Sequence, residues 1–187
     1  MHCHRDSVVK TLNEYPLFIP PDHLASKGRE NWSAKEATEY REWLLGVLDE
    51  RVEELTRLLE EPTGASPSDH LMALGEKAAS LLGKAPFSED GPIGRTLTNA
   101  GYALAADMGL LVAQYLLKAA PDKLRWETVR KPKRDLSYNQ PVLEGFSFTY
   151  LDPVGGSIGE AFGILQGKRE ADAWKRTYEF WVEKAQA

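Results

Sequence analysis

Residues 97–117 read LTNAGYALAADMGLLVAQYLL, a stretch with one charged side chain, Asp107, inside a chain rich in charge elsewhere. A helix that is apolar on every side has to be wrapped by other elements, so this segment is expected to be the central post of the fold. Thr96 or Thr98 supplies a hydroxyl to cap its start, and Pro121 ends it. The segment is also about long enough to cross a bilayer. Asn99, Asp107 and Gln114 within it, and amphipathic flanks, favour a buried helix of a soluble protein.

Working outward, Ser33-Ala34-Lys35-Glu36 has the form of a capping box, in which hydroxyl and carboxylate satisfy first-turn amides. Tyr40, Trp43, Leu44, Val47, Leu48, Val52, Leu55, Leu58 and Leu59 follow at helical steps, with Glu53 and Arg57 as an outer pair and Pro62 as a stop. A second helix is expected from Ser66-Pro67, carrying Leu71, Leu74, Ala78, Leu81 and Leu82 and ending at Gly83. Residues 83–95, rich in Gly and Pro, predict a long surface connection. Residues 1–32 predict an irregular arm, with Leu17, Phe18 and Ile19 tucked against the domain. Beyond Lys123 the period changes to two. Leu124, Trp126 and Thr128 alternate with charged neighbours, and Phe146, Phe148 and Tyr150 alternate with Ser147 and Thr149. Ser157-Ile158-Gly159-Glu160 predicts a capped short helix through Leu165. A last helix from about Lys168 to Ala185 carries Trp174, Tyr178, Trp181 and Val182. The fold expected is mainly α, a helical bundle around a buried central helix with a small C-terminal β-ribbon or extended element. It is read as one domain over 1–187: arm 1–32, helical core 33–121, then extended segments and C-terminal helices over 122–187.

At 187 residues, with 42% hydrophobic and 27% charged residues, the chain can bury a sizeable core without disulfides or metals. A net charge of −5 gives no general attraction for nucleic acid or anionic lipid and suits a basic protein partner. The single cysteine, Cys3, and an N-terminus without an apolar signal core point to the cytoplasm.

Asp107 is the weak candidate for catalysis. A carboxylate among Ala105, Ala106, Met108, Leu110 and Leu111 has a raised pKa unless it meets a cation or donors, and such a group can serve as acid or base. The competing reading is a structural contact with a Trp, Tyr or Arg from a neighbouring element. His2, Cys3 and His4 are metal-binding residue types, but three neighbours on a chain end do not close a cage, so no metal is assigned. His23 and His70 have no companions at ligand spacing. Gly155-Gly156-Ser157 matches no phosphate-loop pattern and reads as a turn and cap. No cofactor is implied. Arg125, Arg130, Lys131, Lys133 and Arg134 form the one basic cluster, with Trp126 beside it. It is a candidate for nucleic acid or for an acidic protein contact. Trp174, Tyr178 and Trp181 are core residues or an aromatic docking stripe.

Asn31-Trp32-Ser33 with Glu36-Ala37, Tyr40 and Trp43, and Trp126 with Tyr138-Asn139-Gln140-Pro141-Val142-Leu143, Gly145-Phe146, Asp152-Pro153 and Trp181, resemble a group of small, mostly helical bacterial proteins. The likeness covers about two-thirds of the length. That group has no established activity, so the resemblance implies a bacterial cytoplasmic origin and one contiguous domain and transfers no catalytic residue. Read physically, Tyr138, Asn139 and Gln140 are candidate binding residues on a clasp. The two amide side chains can pin loop backbone, and Pro141 biases Gln140 toward extended geometry. The function expected is a non-enzymatic protein–protein interaction module, with an immunity-like or antitoxin-like inhibitor as its concrete form and self-association as a further option. The alternatives are a small enzyme using Asp107 and a nucleic-acid binder using residues 125–134.

Overall fold

The computed structural model describes residues 15–60, 66–92 and 94–186. His2, Cys3, His4 and Pro62, named above, lie outside the described residues. The apolar stretch forms α4 (Asn99–Ala119), capped by Thr98, whose hydroxyl accepts from the amide of Gly101. Thirteen of its 21 residues are buried. It packs against α2 (Ala34–Leu58), α3 (Pro67–Leu82), α5 (Pro153–Leu165) and α6 (Ala173–Gln186). A short α1 (Asp22–Ala25) and a 3-10 turn (Arg29–Asn31) precede α2. The fold is mainly α with two small antiparallel two-stranded sheets.

Local signals account for the helices. The α2 capping box is present, Ser33 N donating to Glu36 and Glu36 N donating to Ser33 Oγ. Tyr40, Leu44, Leu48, Val52 and Leu55 form its buried stripe. Arg57 pairs with Glu54 rather than Glu53, the other neighbour that helical geometry offers. Ser66 caps α3 and Pro67 occupies its first turn. Small residues on α4 permit close crossing: a Cβ added at Gly109 would lie 2.1 Å from the carbonyl oxygen of Pro153 in α5.

Several expectations are corrected. Residues 83–95 are not simply a loop. Ser88–Gly91 (β1) pairs with Gly94–Leu97 (β2), with Ser88 opposite Leu97 and Gly94 at φ +113° in the turn. Residues 146–150 do not form the ribbon's second strand. Arg125–Thr128 (β3) pairs instead with Pro141–Glu144 (β4), so that Trp126 faces Leu143. Gly145, at φ +115° against the carbonyl of Lys123, ends β4 and sends Phe146 and Phe148 into a loop. Only Leu151 returns, bridging Leu143. α5 starts at Pro153 with Asp152 as its N-cap, not at Ser157, and α6 starts at Ala173 rather than near Lys168. Among residues 15–19, Tyr15 is buried and Phe18 is half-buried, whereas Leu17 is 44% and Ile19 is 64% exposed.

Candidate functional site

Asp107 is fully buried in the middle of α4 and meets three donors from elsewhere in the chain. Arg51 of α2 grips it two-pronged, Nε to Oδ1 at 2.8 Å and Nη2 to Oδ2 at 2.6 Å. The Tyr15 hydroxyl also donates to Oδ2. The remaining Arg51 nitrogen, Nη1, donates to the carbonyls of Pro16 and Leu17 at 2.8 and 3.1 Å. The guanidinium lies 5.1 Å from the centre of the Phe18 ring. Burial pushes the Asp107 carboxyl up to about 6, against the pull of Arg51 and Tyr15, and burial also raises the Tyr15 hydroxyl well above its ordinary value. At neutral pH the pair is ionic. It ties the arm to the two longest helices, which gives Asp107 the work of a brace. Tyr15 and Arg51 were not among the residues singled out from the sequence. A lone apolar-face arginine on α2 was the available signal.

A cleft of about 580 Å³ lies between the 136–137 loop, the start of α5 and the inner face of α6. Its floor is apolar, including Val112, Leu151 and Trp174, and Trp181 stands at its side. One wall is a polar chain. Asp152 Oδ1 accepts from the Gly155 amide at 2.8 Å, and its Oδ2 accepts from the Ser137 hydroxyl at 2.8 Å. Tyr150 hydrogen-bonds Asp135, which lowers that carboxyl, while burial and Asp135 push the phenol up to about 12. Asp152 therefore occupies the α5 N-terminus with the chain's own carboxylate, which disfavours an outside anion at Gly155-Gly156. Ser157 faces inward, donating to the carbonyl of Ala105 and accepting from Trp174 Nε1 at 2.6 Å.

The clasp segment positions one edge of this cleft. Asn139 is buried at φ +65°, a left-handed conformation that Asn tolerates better than most residues. Its Nδ2 donates to the carbonyls of Arg29 and Trp32 at 2.6 and 3.1 Å, and its Oδ1 accepts from Arg130. Arg29 in turn donates to the carbonyl of Leu136 at 2.7 Å, so the 3-10 turn and the 136–137 loop are fastened together. Tyr138 is buried under Arg130, 5.6 Å from its ring centre, and Gln140 is half-buried with its carbonyl accepting from Val129 N at 3.1 Å. Within the basic cluster, Arg125 pairs with Glu127 and Glu144, and Arg130 is held by Asn139. Lys131, Lys133 and Arg134 are exposed. Trp126 is half-buried against the core. Trp174 and Tyr178 are buried, whereas Trp181 lies between Phe146, Phe148 and Phe180 at the surface. His23 pairs with Glu39 at 2.9 Å, and the His70 ring meets the Tyr115 hydroxyl.

Ser137, Tyr150, Asp152 and Leu136 escaped sequence reading as site residues. The Asp152-Pro153 pair is a cap-and-first-turn signal that local sequence carries, competing with the one at Ser157. No family model, curated protein or solved structure matches the chain.

Proposed function

We propose that this protein is a non-enzymatic interaction module that docks a protein partner through the cleft, its helices forming a bundle that holds α4 as a rigid scaffold. The observation that carries the reading is the exposed apolar rim. Leu136, 85% exposed, lines a concave, mostly apolar site, and Phe148, 59% exposed, stacks on Trp181, which also lines it. Solvating such side chains around a preformed depression is unfavourable, and covering them with a partner removes that cost. Asp107, braced by Arg51, supports this reading, because its carboxylate does not line the cleft. An inhibitor of the immunity or antitoxin kind, acting in a bacterial cytoplasm, is the concrete form. Its partner would be the enzyme or toxin whose surface inserts into the cleft.

The test is site-specific photo-crosslinking from position 136 or 148 in an extract of the source organism, with a reporter on the outer face of α2 as control. A partner crosslinked at the cleft and lost on Leu136→Asp is the expected result. Crosslinks confined to α2, or none at either cleft position, would end the proposal.

A second reading has its own support. About 580 Å³ falls in the size range of small-molecule pockets, and Ser137 and Tyr150 supply convergent hydroxyls. A panel of small aromatic compounds that quenches tryptophan fluorescence, in a manner abolished by Ser137→Ala, would favour it over the protein partner.

A further inference from the structure

Two opposite charges line the cleft without cancelling each other. Arg29 and Asp152 both belong to its lining, and both hold the 136–137 loop through neutral groups. Arg29 Nη2 donates to the carbonyl of Leu136 at 2.7 Å, and Asp152 Oδ2 accepts from the Ser137 hydroxyl at 2.8 Å. The other Asp152 oxygen takes the Gly155 amide at 2.8 Å. Because these partners are neutral, both groups keep their charge, and neither forms an ion pair among the described residues. Glu160, the remaining charged group of the lining, is balanced by Arg169 at 3.3 Å. Adjacent residues of one loop thus hold a guanidinium and a carboxylate too far apart to pair. Burial pushes the Tyr40 hydroxyl up to about 12, with Asp152 adding to the rise and Arg29 opposing it, so both charges reach the same hydroxyl. Beside them lies the uncharged floor of Val112, Leu151 and Trp174, with Trp181 at its side.

We infer that the cleft binds a free α-amino acid with a large apolar side chain, its ammonium on Asp152, its carboxylate on Arg29 and its side chain on the floor beside Trp174 and Trp181. This rests on the small-molecule reading given above and names the ligand's chemistry. A zwitterion carries a donor-only cation and an acceptor-only anion on one carbon, the complement of a carboxylate and a guanidinium that do not reach each other. The ammonium belongs at Asp152 because that carboxylate already fills the α5 N-terminus, which leaves a place for a cation and none for a second anion. Arg29 keeps the donors not spent on Leu136, and its planar fork suits a carboxylate. About 580 Å³ lies in the range of small-ligand sites, and an apolar floor rewards burial of a phenylalanine- or leucine-sized side chain. Arg29 is exposed and Asp152 half-buried, so the side chain supplies most of the affinity and the two charges supply selection for the zwitterion.

The experiment titrates the full-length chain with L-phenylalanine and L-leucine, following tryptophan emission and heat. It compares them with 2-phenylethylamine, which lacks the carboxylate, and 3-phenylpropionate, which lacks the ammonium. L-phenylalanine should bind about tenfold or more tighter than either truncated analogue, a comparison that needs no variant. The variants are Asp152→Asn, which keeps a capping side chain, and Arg29→Gln, each checked for folding by circular dichroism and melting. Asp152→Asn should weaken L-phenylalanine and phenylethylamine and leave phenylpropionate unchanged. Arg29→Gln should weaken L-phenylalanine and phenylpropionate and leave phenylethylamine unchanged. A merely structural loss would weaken all three alike. That uniform loss, or analogues that match L-phenylalanine, would overturn the inference. If no amino acid binds while the aromatic panel still quenches in a Ser137-dependent manner, the inference falls and the small-molecule reading stands. If nothing in the panel binds either, both fall.

Discussion

Arg51 determines what Asp107 costs the fold. A carboxylate at 0% exposure is tolerable only with its cation and donors in place, and Arg51 supplies two of the three hydrogen bonds it receives. Arg51→Ala should therefore destabilise by about 3–5 kcal/mol, because it leaves a buried charge without its partner. The double variant Arg51→Met with Asp107→Leu should recover most of that loss in urea unfolding. If the double variant is as unstable as Arg51→Ala, the buried charge is not the cause. The raised Asp107 pKa adds a pH signature. The folded carboxyl holds its proton up to about 6, against an ordinary value of 3.8. Between those values the folded state binds more protons than the unfolded state, so this group's contribution is fully present below the lower one and is lost as pH rises through the upper one. The stability of wild type relative to Asp107→Asn should accordingly improve as pH is lowered from about 6 to 4. Comparing the two proteins removes groups of opposite sign, such as Glu36, whose carboxyl is lowered to about 2 by Lys27 and Ser33. A gap that narrows on acidification would contradict the assignment.

Among the elements, two glycines of long helices should respond oppositely to the same substitution. Gly46, on the exposed side of α2, would place a Cβ in open space, so Gly46→Ala should stabilise by about 0.5–1 kcal/mol through helix propensity. Gly109 faces α5, where a Cβ would meet the Pro153 oxygen at 2.1 Å and Ser157 Cβ at 2.8 Å. Gly109→Ala must push α5 off α4, a loss of about 1–3 kcal/mol or more despite the better propensity. Thermal melts of the two variants give the signs directly, and a neutral Gly109→Ala would mean that α5 does not press on α4. The same contrast explains what could be read in advance. α2, α3 and α4 announce themselves through caps and periodic apolar residues, all signals carried within a few neighbours. The β1–β2 hairpin and the choice of β4 as partner of β3 depend on where Gly94, Asn139 and Gly145 turn the chain, and positive φ is invisible to hydrophobic periodicity. The brace was half legible. Asp107 stood out as a charge in an apolar run, but its partners lie 56 and 92 residues away, a separation no local pattern spans. The cleft was the least legible part, since Leu136, Ser137 and Tyr150 belong to irregular segments whose meeting is set by the Asn139 clasp.

For the molecule as a whole, the position of α4 sets an order of opening. Asn99–Ala119 is apolar and long enough to cross a membrane by length and composition, yet within the fold it is enclosed on several sides at once by α2, α3, α5 and α6. None of its neighbours can be removed without exposing part of it, so its amides can exchange only when most of the core has come apart. The β1–β2 hairpin is different. Ser88 and Leu97 are buried at its base, but Glu89, Asp90, Gly94 and Arg95 face solvent, and these four residues shield little apolar surface. It can open alone at small cost. Hydrogen exchange followed by mass spectrometry should therefore show peptides from 103–116 protected to nearly the global unfolding free energy, with peptides from 89–95 exchanging orders of magnitude sooner. Arg51→Ala should lower protection in α4 and in residues 15–19 together, because the brace joins them, while leaving the hairpin tip unchanged. If α4 instead exchanged as fast as the hairpin, the enclosure of that helix could not be what holds the protein, and the cleft built against its Gly109 and Val112 would lose its rigid wall.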